Sequence, residues 1–223
     1  MVEPEEGAEE AAGMSRQIWL ISDTHLWHRR IYEFTYVDTA GVQRRVRERF
    51  ATVEEGDAYM LQRWRDLVKP EDHIYHLGDI CMNRENHMGH AFVALMRSLP
   101  GHKRLIPGNH DHLKPHWYVD AGFEKIRGAH LLDNLWLMHV PCHPGSIPKR
   151  AIGCVHGHTH QNEDIGPLYL NVSVERTNYA PIPIEEAQRR LRIKQGNATR
   201  HDHLSGSRKL PDLDVSGNAI TGP

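Results

Sequence analysis

Residues 18–25 read Ile18-Trp19-Leu20-Ile21-Ser22-Asp23-Thr24-His25, and this stretch predicts a buried strand that ends in two metal-ligand side chains. Four consecutive apolar residues are typical of a strand inside a sheet. Alternate residues of an extended chain lie on the same side, so Asp23 and His25 can face one pocket. An Asp-x-His pair alone is more often a turn beside a structural histidine, so the rest of the chain has to support the interpretation.

The same pattern, an apolar run that ends in polar residues, recurs along the chain. It is found at residues 73–77, 104–106, 135–138, 151–155 and 168–174. Between these runs, residues 53–68 and 91–99 place apolar side chains at helical spacing. Strands that alternate with helices predict an α/β fold, whose active site is expected in the loops at the carboxyl ends of the strands.

The 223 residues fit one domain, which we place at residues 16–194. Residues 1–15 and 195–223 are polar and lack hydrophobic periodicity. We expect the first segment to be a disordered N-terminal tail and the second a flexible C-terminal tail. Residues 32–50 are expected to form an exposed excursion from the core, in which a turn joins two short extended segments. Its arginines, Arg44, Arg45, Arg47 and Arg49, are interpreted as a solvated charged segment rather than a phosphate clamp.

Composition limits the possible functions. The chain has 27 basic and 29 acidic residues, so it lacks the broad basic field of a dedicated nucleic-acid binder. Mean hydropathy is −0.60, and no apolar run approaches the roughly 20 residues of a membrane-spanning helix. Three cysteines without framework spacing, and no signal-peptide pattern, favour a reducing compartment, which we take to be the cytoplasm.

The strand ends carry the residue types that bind transition metals. In chain order they are Asp23, His25, Asp79, Asn109, His110, Asp111, His139, His158 and His160. Carboxylate, amide and imidazole together suit divalent manganese, iron, zinc, cobalt or nickel. His143 competes with His139 as a ligand, and His139 is preferred because it directly follows the run 135–138. His156 is expected to support its strand.

In this order, the motifs D-x-H, G-D, G-N-H-D, H and G-H-x-H resemble those of the calcineurin-like metallophosphoesterase superfamily. Residues 22–25, 68–72, 75–79 and 171–175 further resemble its small, single-domain bacterial and phage members, which are described as predicted phosphoesterases. The resemblance spans nearly the whole core. It implies an α/β (α+β) fold: a four-layer αββα sandwich of two mixed β-sheets flanked by helices.

The resemblance also assigns the ligands of two divalent metal ions. Asp23, His25, Asp79 and His160 hold the first ion, Asp79, Asn109, His139 and His158 hold the second, and Asp79 bridges them. Manganese is the first choice, and iron, zinc, nickel, cobalt or magnesium are alternatives. A metal-bridging hydroxide is expected to attack the phosphorus.

Catalytic and substrate-binding roles follow from the same motifs. The resemblance implies that His110 contacts the phosphoryl group and protonates the leaving oxygen, and that Asp111 orients or charges His110. Asn109, His110 and His28 are expected to contact substrate. The expected substrate is a phosphomonoester or, slightly favoured, a phosphodiester, as a small molecule or nucleotide; nucleic acid is possible but not favoured. The alternative function is a catalytically silent metal-binding scaffold that binds a partner through the same face. The sequence predicts no oligomeric state.

Overall fold

The computed structural model describes residues 16–82 and 88–205. The predicted N-terminal tail and residues 206–223 lie outside these ranges. The strands are β1 (Ile18–Ile21), β2 (Thr35–Val37), β3 (Gln43–Arg45), β4 (His73–His76), β5 (His102–Leu105), β6 (Phe123–Ile126), β7 (His130–Leu132), β8 (Leu135–Leu137), β9 (Gly153–His156), β10 (Tyr169–Asn171) and β11 (Ile182–Pro183). The helices are α1 (Val53–Leu67), α2 (Gly89–Arg97), α3 (Pro115–Asp120) and α4 (Ile184–Ser205).

Two mixed sheets form the centre of the fold. The first has the order β11-β1-β4-β5-β6, with β11 antiparallel and the other strands parallel. The second has the order β10-β9-β8-β7, with β7 antiparallel to β8. The strands predicted before the polar motifs are all present. β6, β7 and β11 were not predicted, and they are short strands at the edges of the sheets.

Alternation along the strands divides the core into two apolar clusters. In β1, Leu20 packs with Leu135, Leu137 and Val155 of the second sheet, whereas Ile21 packs with the helices. α1, α2 and α3 cover that outer face through side chains such as Trp64 and Phe92. Two facing mixed sheets with helices packed around them confirm the predicted αββα sandwich.

Local signals explain where α1 begins. The side chain of Thr52 accepts a hydrogen bond from the backbone N–H of Glu55 at 3.2 Å, and the Glu55 carboxylate accepts one from Ala51 N at 2.9 Å. The first bond satisfies a backbone donor that the first helical turn leaves unpaired, and the second ties the chain before the helix to that turn. The predicted helix at residues 53–68 therefore agrees with the structure to within one residue.

α4 corrects the predicted start of the C-terminal tail, because the helix continues through residue 195 to Ser205. Ile184, Ala187 and Leu191 are buried in the cluster between the sheets, and α4 contacts β1, β10 and β11. The helix was missed because its remaining residues are mostly polar. Within the described ranges, no helix combines the length and apolar character needed to cross a bilayer.

The predicted excursion is a hairpin of β2 and β3, and its tip is exposed. Its two ends, Tyr32 and Phe50, are buried in the core. The prediction that all four arginines are solvated was wrong for Arg47, whose side chain is fully buried. Arg47 is buried because it has charged and carbonyl partners beneath the hairpin.

Candidate metal centre

The seven predicted ligands follow five strands and converge at one end of the two facing sheets. Asp23 and His25 follow β1, Asp79 follows β4, Asn109 follows β5, His139 follows β8, and His158 and His160 follow β9. Five of them have left-handed backbone conformations, with φ of +57° at Asp23, +43° at His25, +56° at Asp79, +69° at His158 and +48° at His160. Such strain in residues other than glycine persists only where the surrounding structure enforces it, and it concentrates at functional sites.

The ligand atoms form two groups. Asp23, His25 and His160 make the first group, and Asp79, His139 and His158 make the second; within each, the ligand atoms lie within 4.8 Å of one another. Asn109 belongs with the second group, because its Oδ1 lies 3.0 Å from His139 Nε2 and 2.8 Å from His158 Nδ1.

Asp79 belongs to the second group but also lies close to the first. Its Oδ2 is 3.5 Å from Nε2 of His25 in the first group and 3.3 Å from Nε2 of His139 in the second. Burial works to raise the pKa of Asp79, but hydrogen bonds from His139 and from the backbone N–H of His110 hold that pKa well below its usual value. The carboxylate therefore remains ionised at neutral pH in the position that a bridging ligand needs.

The donor set fits divalent cations. Among residues 16–82 and 88–205, neither ring nitrogen of the buried His25 has a hydrogen-bond partner. Burial lowers the pKa of His25 to about 2, so its imidazole is neutral, which is the form that binds metal. His139 donates Nδ1–H to the carbonyl of Leu77 at 2.7 Å and so presents Nε2 to Asp79. A ligand imidazole is commonly oriented by such a bond from its other nitrogen.

Two glycines allow the ligand loops to approach one another. A Cβ at Gly108 would lie 2.1 Å from Asp79 Oδ1, and a Cβ at Gly157 would lie 2.2 Å from Asp23 Oδ2. Both contacts are far shorter than van der Waals distance, so any side chain at either position would displace a ligand carboxylate.

Asp111 has a different position from the one predicted. Its carboxylate accepts hydrogen bonds from the backbone N–H groups of Asp79 at 2.8 Å, Gly108 at 2.8 Å and Ile80 at 3.1 Å. The carboxylate thus fastens the loop after β4 to the loop after β5, and these bonds do not orient the His110 imidazole. Nδ1 of His110 is buried and has no partner among the described residues.

Glu175, for which no role was predicted, supports the first group. Its Oε2 accepts a hydrogen bond from Nδ1 of His160 at 3.4 Å, and its Oε1 pairs with Nε of Arg47 at 2.8 Å. Burial opposes ionisation, but the charges of Arg47 and His160 hold the pKa of Glu175 at about 2. The available signal was its place after β10, the same place that the ligands occupy after their strands.

Arg47 joins the hairpin to the same ligand group. Its Nη2 donates to the carbonyl of Asp23 at 2.8 Å, and its Nη1 donates to the carbonyl of Thr24 at 3.0 Å. Asp23 is also fixed from the other side, because its Oδ2 accepts hydrogen bonds from Ser173 Oγ and from the backbone N–H of His158, each at 2.9 Å. Both the main chain and the carboxylate of Asp23 are therefore held in place.

A cavity of about 460 Å³ opens beside the ligands. His25, His158 and His160 line it together with two predicted substrate contacts, His28 and His110. Asn109, the third predicted contact, is not part of this lining; its side-chain oxygen lies against His139 and His158.

The two competing histidines occupy different places. His139 is buried in the second ligand group, whereas His143 is exposed and its Nδ1 accepts a hydrogen bond from Gly145 N at 3.1 Å. His156 is fully buried in β9, and its Nδ1 donates to the carbonyl of Gly157 at 2.8 Å. Of these three residues, only His139 belongs to a ligand group.

Comparison with known proteins finds a family and several relatives. The family model described as calcineurin-like phosphoesterase matches residues 16–212. An uncharacterised protein of Methanocaldococcus jannaschii is 28% identical over 178 residues, which cover 76% of this chain and 88% of that protein. The gene 66 protein of Mycobacterium phage L5 is 34% identical over 112 residues, 50% of this chain and 46% of the phage protein. The chain thus aligns with less than half of the phage protein.

A solved structure has a similar fold. A protein of unknown function from Aquifex aeolicus superposes with a TM-score of 0.57 at 24% identity, over 78% of this chain and 98% of that protein. At this level of identity, the similarity concerns the fold alone.

Proposed function

The chain belongs to the calcineurin-like phosphoesterase family, and from that membership we propose that it hydrolyses a phosphate ester with the help of two divalent metal ions. The family is metal-dependent, and the structure has two candidate ligand groups. One observation carries the proposal: Asp79 Oδ2 lies within 3.5 Å of a ligand histidine of each group. That arrangement supports a binuclear site with a shared carboxylate.

Different residues would hold the two ions and protonate the leaving group. Asp23, His25, Asp79 and His160 would hold one ion, and Asp79, Asn109, His139 and His158 the other. The ions, when bound, lower the pKa of water and neutralise charge on the phosphoryl oxygens. His110 lines the cavity with its ring 5.4 Å from that of His25, a place from which it can protonate the leaving oxygen.

We propose a phosphodiester as the slightly favoured substrate over a phosphomonoester. An alkoxide leaving group benefits from a proton donor, and His110 supplies one. The near balance of 27 basic and 29 acidic residues supports a small-molecule or nucleotide substrate over nucleic acid. Manganese is the proposed metal, since the mixture of carboxylate, amide and imidazole suits such an ion. The odd number of cysteines supports a cytoplasmic location.

A catalytically silent scaffold is the second candidate. Loss of catalysis is expected to leave a broken ligand set, because selection on the ligands ends with the activity. All seven proposed ligand residues and His110 are present in the sequence, which favours the enzyme.

The experiment is hydrolysis of bis-p-nitrophenyl phosphate and of p-nitrophenyl phosphate by metal-stripped protein, before and after repletion with manganese. We expect turnover that depends on manganese, with the diester preferred. His139→Ala should lower turnover at least tenfold, while His143→Ala, a matched substitution outside the ligand groups, should leave it unchanged. No turnover of either ester by manganese-loaded protein contradicts the proposal, and equal rates for the two variants contradict the ligand assignment.

A further inference from the structure

A row of aromatic rings leads from the first ligand group to Phe34. The rings of His160 and His25 are stacked with centroids 5.0 Å apart, and the ring of His28 lies 5.4 Å from that of His25. The ring of Phe34 then meets His28 edge to face at 5.9 Å. Phe34 lines the cavity and is 44% exposed, so the row ends in an aromatic face open to solvent.

The lining around Phe34 is mostly apolar and is held in place by the hairpin. The exception is Arg30, whose guanidinium carbon lies 5.9 Å from the centre of the Phe34 ring. Ile31, Val46 and Met82 line the cavity beside Phe34, and we call these four residues the Phe34 wall. Val46 N donates to the carbonyl of Phe34 at 2.9 Å, and Phe34 N donates to the carbonyl of Arg30 at 3.2 Å. These backbone bonds fix the main chain of Phe34 before any ligand binds, which reduces the entropy that binding costs.

The other side chains that line the cavity determine which chemical groups can bind against the Phe34 wall. Thr159, Gln161 and Asn162 contribute uncharged hydroxyl and amide groups that both donate and accept hydrogen bonds. Among the described residues that line the cavity, the charged side chain apart from the histidines is Arg30, which favours a neutral or anionic group over a cationic one.

A flat, uncharged ring with polar edges can contact both the Phe34 wall and the polar side chains of the cavity. Its face can stack on Phe34, and its edge can exchange hydrogen bonds with Gln161 and Asn162. The cavity volume of about 460 Å³ lies within the usual range of small-ligand sites, roughly 300–1,000 Å³. The space beside the metal ligands therefore suits a phosphate ester of mononucleotide size.

We propose that the Phe34 wall is a binding site for a nucleobase, and that the substrate is a nucleoside phosphate ester. This inference rests on the proposed phosphoesterase function, whose ester bond it places beside the ligand groups. Stacking of a base on an aromatic side chain increases affinity on the order of tenfold. We expect this preference in kcat/KM and in binding.

The test compares adenosine 5′-phosphate with ribose 5-phosphate, and the methyl diester of each, in manganese-loaded protein. Both members of a pair present the same 5′-alkoxide and differ at C1′, where the adenosine compound carries the base and the ribose compound a hydroxyl group. We expect the adenosine compounds to be preferred on the order of tenfold in kcat/KM. Titration calorimetry of metal-stripped protein with adenosine 5′-phosphate and ribose 5-phosphate measures the binding preference without turnover.

Three variants test whether the preference for the adenosine compounds depends on Phe34. Phe34→Leu keeps an apolar side chain but removes the ring, and it should abolish most of the preference; Phe34→Trp should restore it. Val37→Ala, at a residue 67% exposed on the same hairpin, should leave the preference intact. Equal binding of the two compounds, or a preference that survives Phe34→Leu, overturns the nucleobase site even if bis-p-nitrophenyl phosphate is hydrolysed. Loss of all hydrolysis with the binding preference intact overturns the proposed function instead.

Discussion

Replacing Glu175 with glutamine tests how the first ligand group is supported. Glu175→Gln keeps the size of the side chain and removes its charge. The side chain of Glu175 is 2% exposed and that of Arg47 is fully buried, so the substitution leaves a guanidinium without its counter-charge inside the protein. The same change weakens the acceptor that faces Nδ1 of His160.

The lost ion pair sets the size of the effect. Breaking a buried ion pair by removing one partner costs about 3–5 kcal/mol. The fall of the Glu175 pKa from 4.5 to about 2 corresponds to about 3 kcal/mol of stability at neutral pH. A domain of this size loses roughly 2–4 °C in Tm per kcal/mol, so we expect Tm to fall by about 10 °C.

The assay is urea and thermal unfolding of metal-free protein, with Glu48→Gln as the control. Glu48 pairs with Arg44 at the surface with its side chain 52% exposed, and its loss should cost less than about 1 kcal/mol. Because the folded-state pKa of Glu175 is depressed, its contribution is complete above pH 4.5 and is lost as the pH falls towards 2. The deficit of Glu175→Gln should shrink over the same interval. A deficit no larger than that of Glu48→Gln at pH 7 refutes the reasoning.

Three further substitutions test other parts of the site. His110→Ala should retain manganese, measured by metal analysis, and lose about 10²–10⁴-fold in turnover, most on esters with poor leaving groups; an unchanged rate on those esters removes His110 from the mechanism. Asp111→Ala should lower manganese affinity about 10–100-fold, because the loops after β4 and β5 lose their shared acceptor; equal affinity by calorimetry would show that the loops hold without it. Burial raises the pKa of Asp57 to about 6, which penalises the folded state above pH 3.8. Asp57→Asn should therefore stabilise the protein by up to about 3 kcal/mol at pH 7.5 and by nothing below pH 3.8, and urea titrations that show the same gain at both pH values contradict this account.

The sequence predicted the ligand loops because each depends on local information. An apolar run followed by Asp23-x-His25 or by Gly78-Asp79 encodes both the strand and the ligand that leaves it, within a few residues. The convergence of these loops then follows from parallel strands in an α/β fold, whose carboxyl ends lie at one edge of the sheet.

The contacts that hold the ligand side chains in place could not be predicted in the same way, because they join segments that are distant in sequence. Arg47 and Glu175 are 128 residues apart, and Arg47 lies in a run of arginines whose composition is that of a solvated surface. Asp111 follows His110 directly, which suggested a contact between the two side chains. In the structure, a loop turn directs its carboxylate to the backbone of Asp79 and Gly108 instead.

The edge strands and α4 were missed for a related reason. β6 reads Phe123-Glu124-Lys125-Ile126, with too few apolar residues to distinguish it from a loop. α4 buries Ile184, Ala187 and Leu191 along one narrow stripe while its other residues are mostly polar. Both elements are stabilised by what they pack against, and propensity alone does not show those partners.

The most direct test of the central claim is the number of manganese ions bound per chain by the wild type and by Asp79→Ala, with bis-p-nitrophenyl phosphate hydrolysis measured on the same samples. Because Asp79 lies within reach of both ligand groups, we expect about two ions per wild-type chain, and loss of both ions together with turnover in the variant. Two tightly bound ions in Asp79→Ala, or full hydrolysis without them, would contradict a shared binuclear centre.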